Sequence, residues 1–146
     1  MSIFVSKSFK YIEFICPCGC GKTKPIDSRF IYLLQNLRDK LNQPIYITKG
    51  GGIRCPSYNK KIGGYFNSAH LFGRAGDIRV VGMDIVSLAK QAKDIGFPRI
   101  GLYPYDNFVH LDVMRPFPSE AWLRGKSGRY YYYRKFEEAI ESVSKW

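Results

Sequence analysis

An α+β fold, built as a single domain with a small, largely antiparallel sheet flanked by helices, is what the sequence predicts. Three observations carry that reading. Residues 27–41 and 83–95 repeat apolar side chains at three- and four-residue steps, the period of a helix with one buried face. Short β-branched and aromatic runs lie between and after them. The runs at 99–103 and 108–113 are separated by Pro104-Tyr105-Asp106-Asn107, a turn-rich connection that predicts an antiparallel hairpin. Helices interspersed with a few such strands fit one sheet with helices packed on it.

The elements follow in order. In the first helix Phe30, Leu33, Leu34, Leu37 and Leu41 form the apolar stripe, and Asp27 is placed to cap the first turn. Pro44-Ile45-Tyr46-Ile47-Thr48 is short and β-branched and runs into Lys49-Gly50-Gly51-Gly52, so it reads as a strand entering a loop. A weaker helical turn over 57–62 is stopped by Gly63-Gly64, and 75–81 reads as a second strand. In the next helix Ile85, Leu88, Ala89 and Ala92 set the period, and Gly96 ends it before Phe97-Pro98. After the hairpin, Tyr130 to Tyr133 fits an exposed or half-buried strand on propensity, with sugar stacking as the functional alternative. A helix over 135–146 closes the chain.

The chain has 146 residues with 45% hydrophobic content, enough for one domain, over 1–146, to bury a core without staples. There is no repeat or linker, and nothing approaches the ~18 consecutive apolar residues of a membrane span. The opening residues lack a positive head followed by an apolar core, so no signal peptide is expected. A formal net charge of +11 favours polyanionic partners. The 23 Lys and Arg are dispersed rather than striped, which argues against specific nucleic-acid binding. A monomer is expected.

Chemistry gathers at the two histidines. Asp77 follows His70 by seven residues across a segment carrying Gly73 and Gly76, and Asp112 follows His110 by two. Two imidazoles and a carboxylate would leave one position of a tetrahedral zinc open, as a hydrolytic site needs. Spacing alone also fits two hydrogen-bonded structural histidines. Cys16, Cys18, Cys20 and the distant Cys55 could ligate a structural zinc, form disulfides, or remain free thiols in a reducing compartment.

Ser68-Ala69-His70-Leu71-Phe72-Gly73-Arg74-Ala75-Gly76-Asp77 resembles the Ser-x-His-x-x-Gly-x-Ala-x-Asp signature of the M15 family of zinc D-Ala-D-Ala peptidases. Phe108-Val109-His110-Leu111-Asp112 is similar to that family's second metal segment. Ile53-Arg54-Cys55-Pro56-Ser57-Tyr58-Asn59, followed by Gly63-Gly64, resembles the stretch before its first histidine. Phe9, Glu13-Phe14 and the Cys-rich run to Gly21 look like the start of one M15 branch. The resemblance implies a hedgehog/DD-peptidase-like fold, His70, Asp77 and His110 as ligands of one catalytic zinc, and Arg54 as the cation that holds a substrate carboxylate. It implies a peptidoglycan stem or cross-bridge peptide as substrate, cut by a carboxypeptidase or an endopeptidase.

The chain also departs from the family's pattern. Ile53 replaces the usual Tyr, and the glycine-rich loop at 49–52 is longer, which predicts greater mobility there. Some branches carry an acidic general base three places before the last histidine, where this chain has Asn107. Side chains two and four apart on a strand share a face, which makes Asp112 the candidate base or ligand-orienting partner and Asp106 its alternative. Ser68 and Tyr103 complete the candidate substrate contacts, against blander readings as a local cap and a packed strand residue. A wall-directed enzyme without a signal suggests a phage endolysin or virion-associated protein, cytoplasmic until released. The rival is a non-catalytic zinc- or wall-binding module of the same fold.

Overall fold

The structure is a computed structural model that describes residues 3–20 and 24–146. Its elements run α1 (Ser28–Leu41), β1 (Tyr46–Ile47), α2 (Pro56–Lys61), β2 (Ala75–Arg79), α3 (Ile85–Ile95), β3 (Arg99–Tyr103), β4 (Phe108–Asp112), β5 (Ala121–Arg124), β6 (Tyr130–Tyr133) and α4 (Phe136–Val143). Short 3-10 turns cover Tyr11–Phe14 and Ala69–Phe72. No described helix is long and apolar enough to cross a membrane.

The helices form where periodicity and caps coincide. At the start of α1 the Asp27 carboxylate accepts from the Phe30 amide at 2.9 Å, and Asn42 ends the helix in the left-handed region at φ 51°. Asp84 caps α3 through the Ser87 amide, so that helix begins two residues later than periodicity suggests, and Gly96 stops it as expected.

Among the described residues, six strands form one sheet in the order β1-β2-β4-β3-β5-β6. Every neighbouring pair is antiparallel except β3 and β5. The hairpin expected at 99–113 is present as β3 and β4, and the tyrosine run is β6. The sequence reading missed β5. Its four residues carry no period of their own, being buried on both faces at Ala121, Trp122 and Leu123.

One face of the sheet is apolar. Ile78, Val109, Leu111, Ile100, Leu102, Ala121 and Leu123 pack with Phe30, Leu34 and Leu37 of α1, Leu88, Ala89 and Ala92 of α3, and Phe136 and Ala139 of α4. Each large side chain buried this way contributes about 1.5–3 kcal/mol. The N-terminal segment joins the same core, Phe14 meeting Phe9 and Phe30 edge-on at centroid distances of 6.0 and 6.5 Å.

The opposite face carries one transverse row. Asp77 of β2 pairs with His110 of β4, His110 with Gly101 of β3, Gly101 with Trp122 of β5, and Trp122 with Tyr132 of β6. Strand alternation puts all five positions on the same side. Gly101 leaves room for the indole, since a Cβ there would lie 2.5 Å from Trp122. Trp122 reaches across to His110 with ring centroids 4.9 Å apart.

The glycine-rich loop, expected to be mobile, is packed against the sheet. Gly50, Gly51 and Gly52 are buried, and the Asp77 amide donates to the Gly51 carbonyl at 2.8 Å. A Cβ on Gly51 would meet Asp77 at 2.8 Å, and one on Gly52 would meet the Phe14 backbone at 2.7 Å. These glycines allow close backbone packing beside β2.

Gly101→Ala should therefore overpack the row, forcing Trp122 off His110 and costing about 1–3 kcal/mol in chemical unfolding. An unchanged denaturation midpoint would show that the indole is not wedged over β3.

Candidate metal centre

His70, Asp77 and His110 come together. His70 sits on the 3-10 turn over Ala69–Phe72, which Ser68 caps by accepting from the His70 amide at 3.2 Å. Gly73 ends the turn in the left-handed region, and the chain passes directly into β2 with Asp77 at its centre. His110 arrives from β4 as the register partner of Asp77.

The atoms converge on one carboxylate oxygen. His110 Nδ1 lies 2.9 Å and His70 Nε2 lies 3.3 Å from Asp77 Oδ1. All three side chains are buried, with 2%, 4% and 6% exposure for His70, Asp77 and His110. For ligand bonds of about 2.0–2.1 Å, the edges of a tetrahedral zinc site are roughly 3.3 Å. The spacing and the N, O, N donor set therefore fit zinc.

The outer atoms of each group are also occupied. His70 Nδ1 donates to the Gly52 carbonyl at 2.8 Å, which turns Nε2 toward Asp77. His110 Nε2 lies 2.7 Å from Asp112 Oδ2, which leaves Nδ1 facing Asp77. Arg54 donates to the second Asp77 oxygen at 3.2 Å. Partners of this kind fix the tautomer and orientation of metal-binding side chains.

Asp112 is wholly buried. Besides His110, it accepts from the Met114 amide at 2.9 Å and faces Arg99 Nε at 3.4 Å. Its carboxylate meets the ring nitrogen away from Asp77, where it can orient the imidazole. Asp106, the alternative, takes no part in the hydrogen bonds of the cluster. It is exposed in the β3–β4 turn, 3.7 Å from Arg124. Asn107 beside it adopts φ 55°, a left-handed conformation that Asn tolerates better than Glu.

Tyr103 packs more than it reaches. Its ring stacks on Phe108 at 4.2 Å, and its hydroxyl accepts from Trp122 Nε1 at 3.1 Å. Burial pushes its pKa up. Ser68, likewise, acts as the cap just described. Arg54 sits deeper than expected, donating to Gly50 O at 2.7 Å and Asn59 Oδ1 at 3.1 Å as well as to Asp77. Those three contacts leave two of the five guanidinium N–H groups for a ligand. The four cysteines form a second group, all as free thiols, so no disulfide is present.

Three residues around the site were given no role by the sequence, although Asn59 stands in the stretch that resembles the family. Asn59 is buried, bridging Arg54 and the Tyr65 carbonyl. Arg99 lies opposite Asp112 and 4.9 Å from the Trp122 ring, and Trp122 covers His110. The Arg99–Asp112 pair could have been found by extending the hairpin register outward from Tyr103 and Phe108.

Electrostatics pull the groups apart. Burial holds His70 below its ordinary value despite the attraction of Asp77. Burial also acts to lower His110, but hydrogen bonds to Asp112 and Asp77, with their charges, carry it up to about 9. Burial acts to raise Asp77, and the two imidazoles outweigh it, keeping the carboxyl well below the usual carboxylate range.

Residues 7–112 match the family model described as Peptidase M15. The chain belongs to that family. It is similar to a probable peptidoglycan L,D-endopeptidase, MepK, of Haemophilus influenzae, at 35% identity over 47 residues, 32% of this chain and 25% of that protein. It is also similar to a zinc D-Ala-D-Ala carboxypeptidase of Streptomyces albus G, at 37% identity over 54 residues, 37% of this chain and 21% of that protein. The matches span about a quarter or less of these curated relatives' length.

A cation must displace the proton of His110, so zinc affinity should climb by about tenfold per pH unit toward pH 9. Because the folded value of His110 is raised, its ion pairing should stabilise the metal-free protein fully below about pH 6.5 and be lost as pH rises through about 9. Competition titration and metal-free unfolding across that range test both signs. Asp112→Asn should weaken zinc binding by about ten- to a hundredfold. A large drop in turnover at unchanged zinc affinity would instead make Asp112 a base.

Proposed function

We propose that the chain is a zinc-dependent peptidase that hydrolyses a peptide bond in the stem or cross-bridge peptides of bacterial peptidoglycan, with His70, Asp77 and His110 as the metal ligands. The observation that carries this is the convergence of three ligand atoms whose outer partners are already satisfied. Among the described residues no fourth His, Cys, Asp or Glu joins that group, as suits an open rather than a closed zinc site. When bound, zinc would supply Lewis acidity and water activation near neutral pH.

The protein's own groups do the rest. Gly52, Asp112 and Arg54 hold the ligands in place. The remaining Arg54 N–H groups suit a substrate carboxylate, which a guanidinium can grip with two parallel bonds. Trp122 shields one side of His110. The +11 charge supports retention on an anionic wall.

One observation favours a second reading, a non-catalytic zinc- or wall-binding module. With Asn107 in the turn and Asp112 bonded to the far nitrogen of His110, neither position offers a carboxylate on the side of His110 that faces Asp77. Turnover separates the two. Zinc-loaded protein should release peptide or amino-acid products from purified peptidoglycan, identified by mass. His70→Ala or His110→Ala should abolish release together with metal at this site. Arg54→Lys should retain zinc while kcat/KM falls by about tenfold or more. Zinc binding without any product would establish the module instead.

A further inference from the structure

A second group of metal-binding side chains stands apart from the His-Asp-His cluster. We propose that Cys16, Cys18, Cys20 and Cys55 bind one structural zinc ion as four thiolates, and that this ion fastens the N-terminal segment to the loop that builds the peptidase site.

All four sulfurs lie within 4.8 Å of one another. Cys18 Sγ is 3.3 Å from Cys16 Sγ and 3.4 Å from Cys55 Sγ. A disulfide would need about 2.05 Å. Sulfurs around a tetrahedral zinc, each about 2.3 Å from the ion, stand roughly 3.8 Å apart. The observed separations lie near that edge. Thiols attract one another only weakly, so a cluster of four is better explained by a shared cation than by mutual hydrogen bonding. A disulfide could satisfy only two of them.

Burial is graded across the cluster. Cys16 and Cys55 are buried, whereas Cys18 and Cys20 are exposed, so an ion could enter from solvent and be anchored to the core. The Cys55 amide donates to Cys16 Sγ at 3.5 Å and the Tyr58 amide to Cys55 Sγ at 3.4 Å, contacts that suit charged sulfur. Four protein ligands close the coordination shell, which assigns the ion a structural role.

What it would hold follows from the neighbours of Cys55. Cys55 caps α2 and follows Arg54 directly. The Ile53 amide donates to the Phe14 carbonyl at 2.7 Å, two residues from Cys16. Gly52, packed on the Phe14 backbone, presents the carbonyl that holds His70 Nδ1. The Arg54 amide donates to the His70 carbonyl at 3.1 Å. The cysteine cluster thus closes a long loop of chain around residues that position both Arg54 and His70.

The test is metal content by elemental analysis, with cobalt as a spectroscopic substitute. The unaltered chain, purified under reducing conditions, should carry about two zinc ions. A chain with both His70→Ala and His110→Ala should keep about one, and its cobalt form should show intense sulfur-to-cobalt charge-transfer absorption. Cys18→Ser with Cys20→Ser, both at exposed positions, should lose that absorption and one zinc while the His-Asp-His site still loads. Absence of the charge-transfer band from the unaltered cobalt protein would overturn the proposal, and so would equal metal content in the cysteine variant. Retitration of only two thiols in the unfolded, unreduced chain would replace the ion with a disulfide. The cobalt measurement needs no substitution, so a variant that fails to fold leaves it decisive, and the histidine variant separates this outcome from that of the peptidase site.

Discussion

The pairing of Asp77 with His110 across β2 and β4 is the contact on which the rest of the site depends. It buries a carboxylate against two imidazoles, an arrangement that costs several kcal/mol in desolvation unless every lone pair and proton finds a partner. The surrounding structure supplies those partners. Arg54 takes the outer oxygen of Asp77, Gly52 takes the outer nitrogen of His70, and Asp112 takes that of His110. Asp112 in turn is held by Arg99 and the Met114 amide. Without these links a buried charge or polar group would be left without a partner.

This explains why the loop before β2 is rich in glycine yet tightly held. The backbone at 50–52 must approach β2 and Phe14 closely enough to offer its carbonyls to Arg54, Asp77 and His70. Side chains would keep it away. Composition alone suggests a floppy segment, but each of its three carbonyls is taken by a hydrogen bond in the wall of the site.

Much of this was legible in the sequence. Helices α1 and α3 declared themselves through the spacing of Phe30, Leu33, Leu34 and Leu37 and of Leu88, Ala89 and Ala92, because one buried stripe leaves a period. The β3–β4 hairpin followed from its turn. The His70, Asp77 and His110 cluster was visible through a family motif, whereas spacing alone left two readings open. Strand β5 was hidden because a strand covered on both faces has no alternation to detect. The roles of Asp112 and Asp106 were undecided because strand alternation gives the face of a side chain but not which nitrogen of a neighbouring ring it meets. The roles of Asn59 and Trp122 were not legible because they depend on contacts between distant segments.

The row that runs through Asp77, His110, Gly101, Trp122 and Tyr132 carries a consequence for how the molecule breathes. A site set on a loop can open by local fraying while the scaffold stays folded. Here two of the three clustered side chains stand on adjacent central strands, bonded on both edges and backed by the main core. Exposing them requires separating β2 from β4, which dismantles the sheet. Backbone amides beneath Asp77 and His110 are therefore expected in the slowest-exchanging unit of the protein, with the two side chains held in register by the sheet itself.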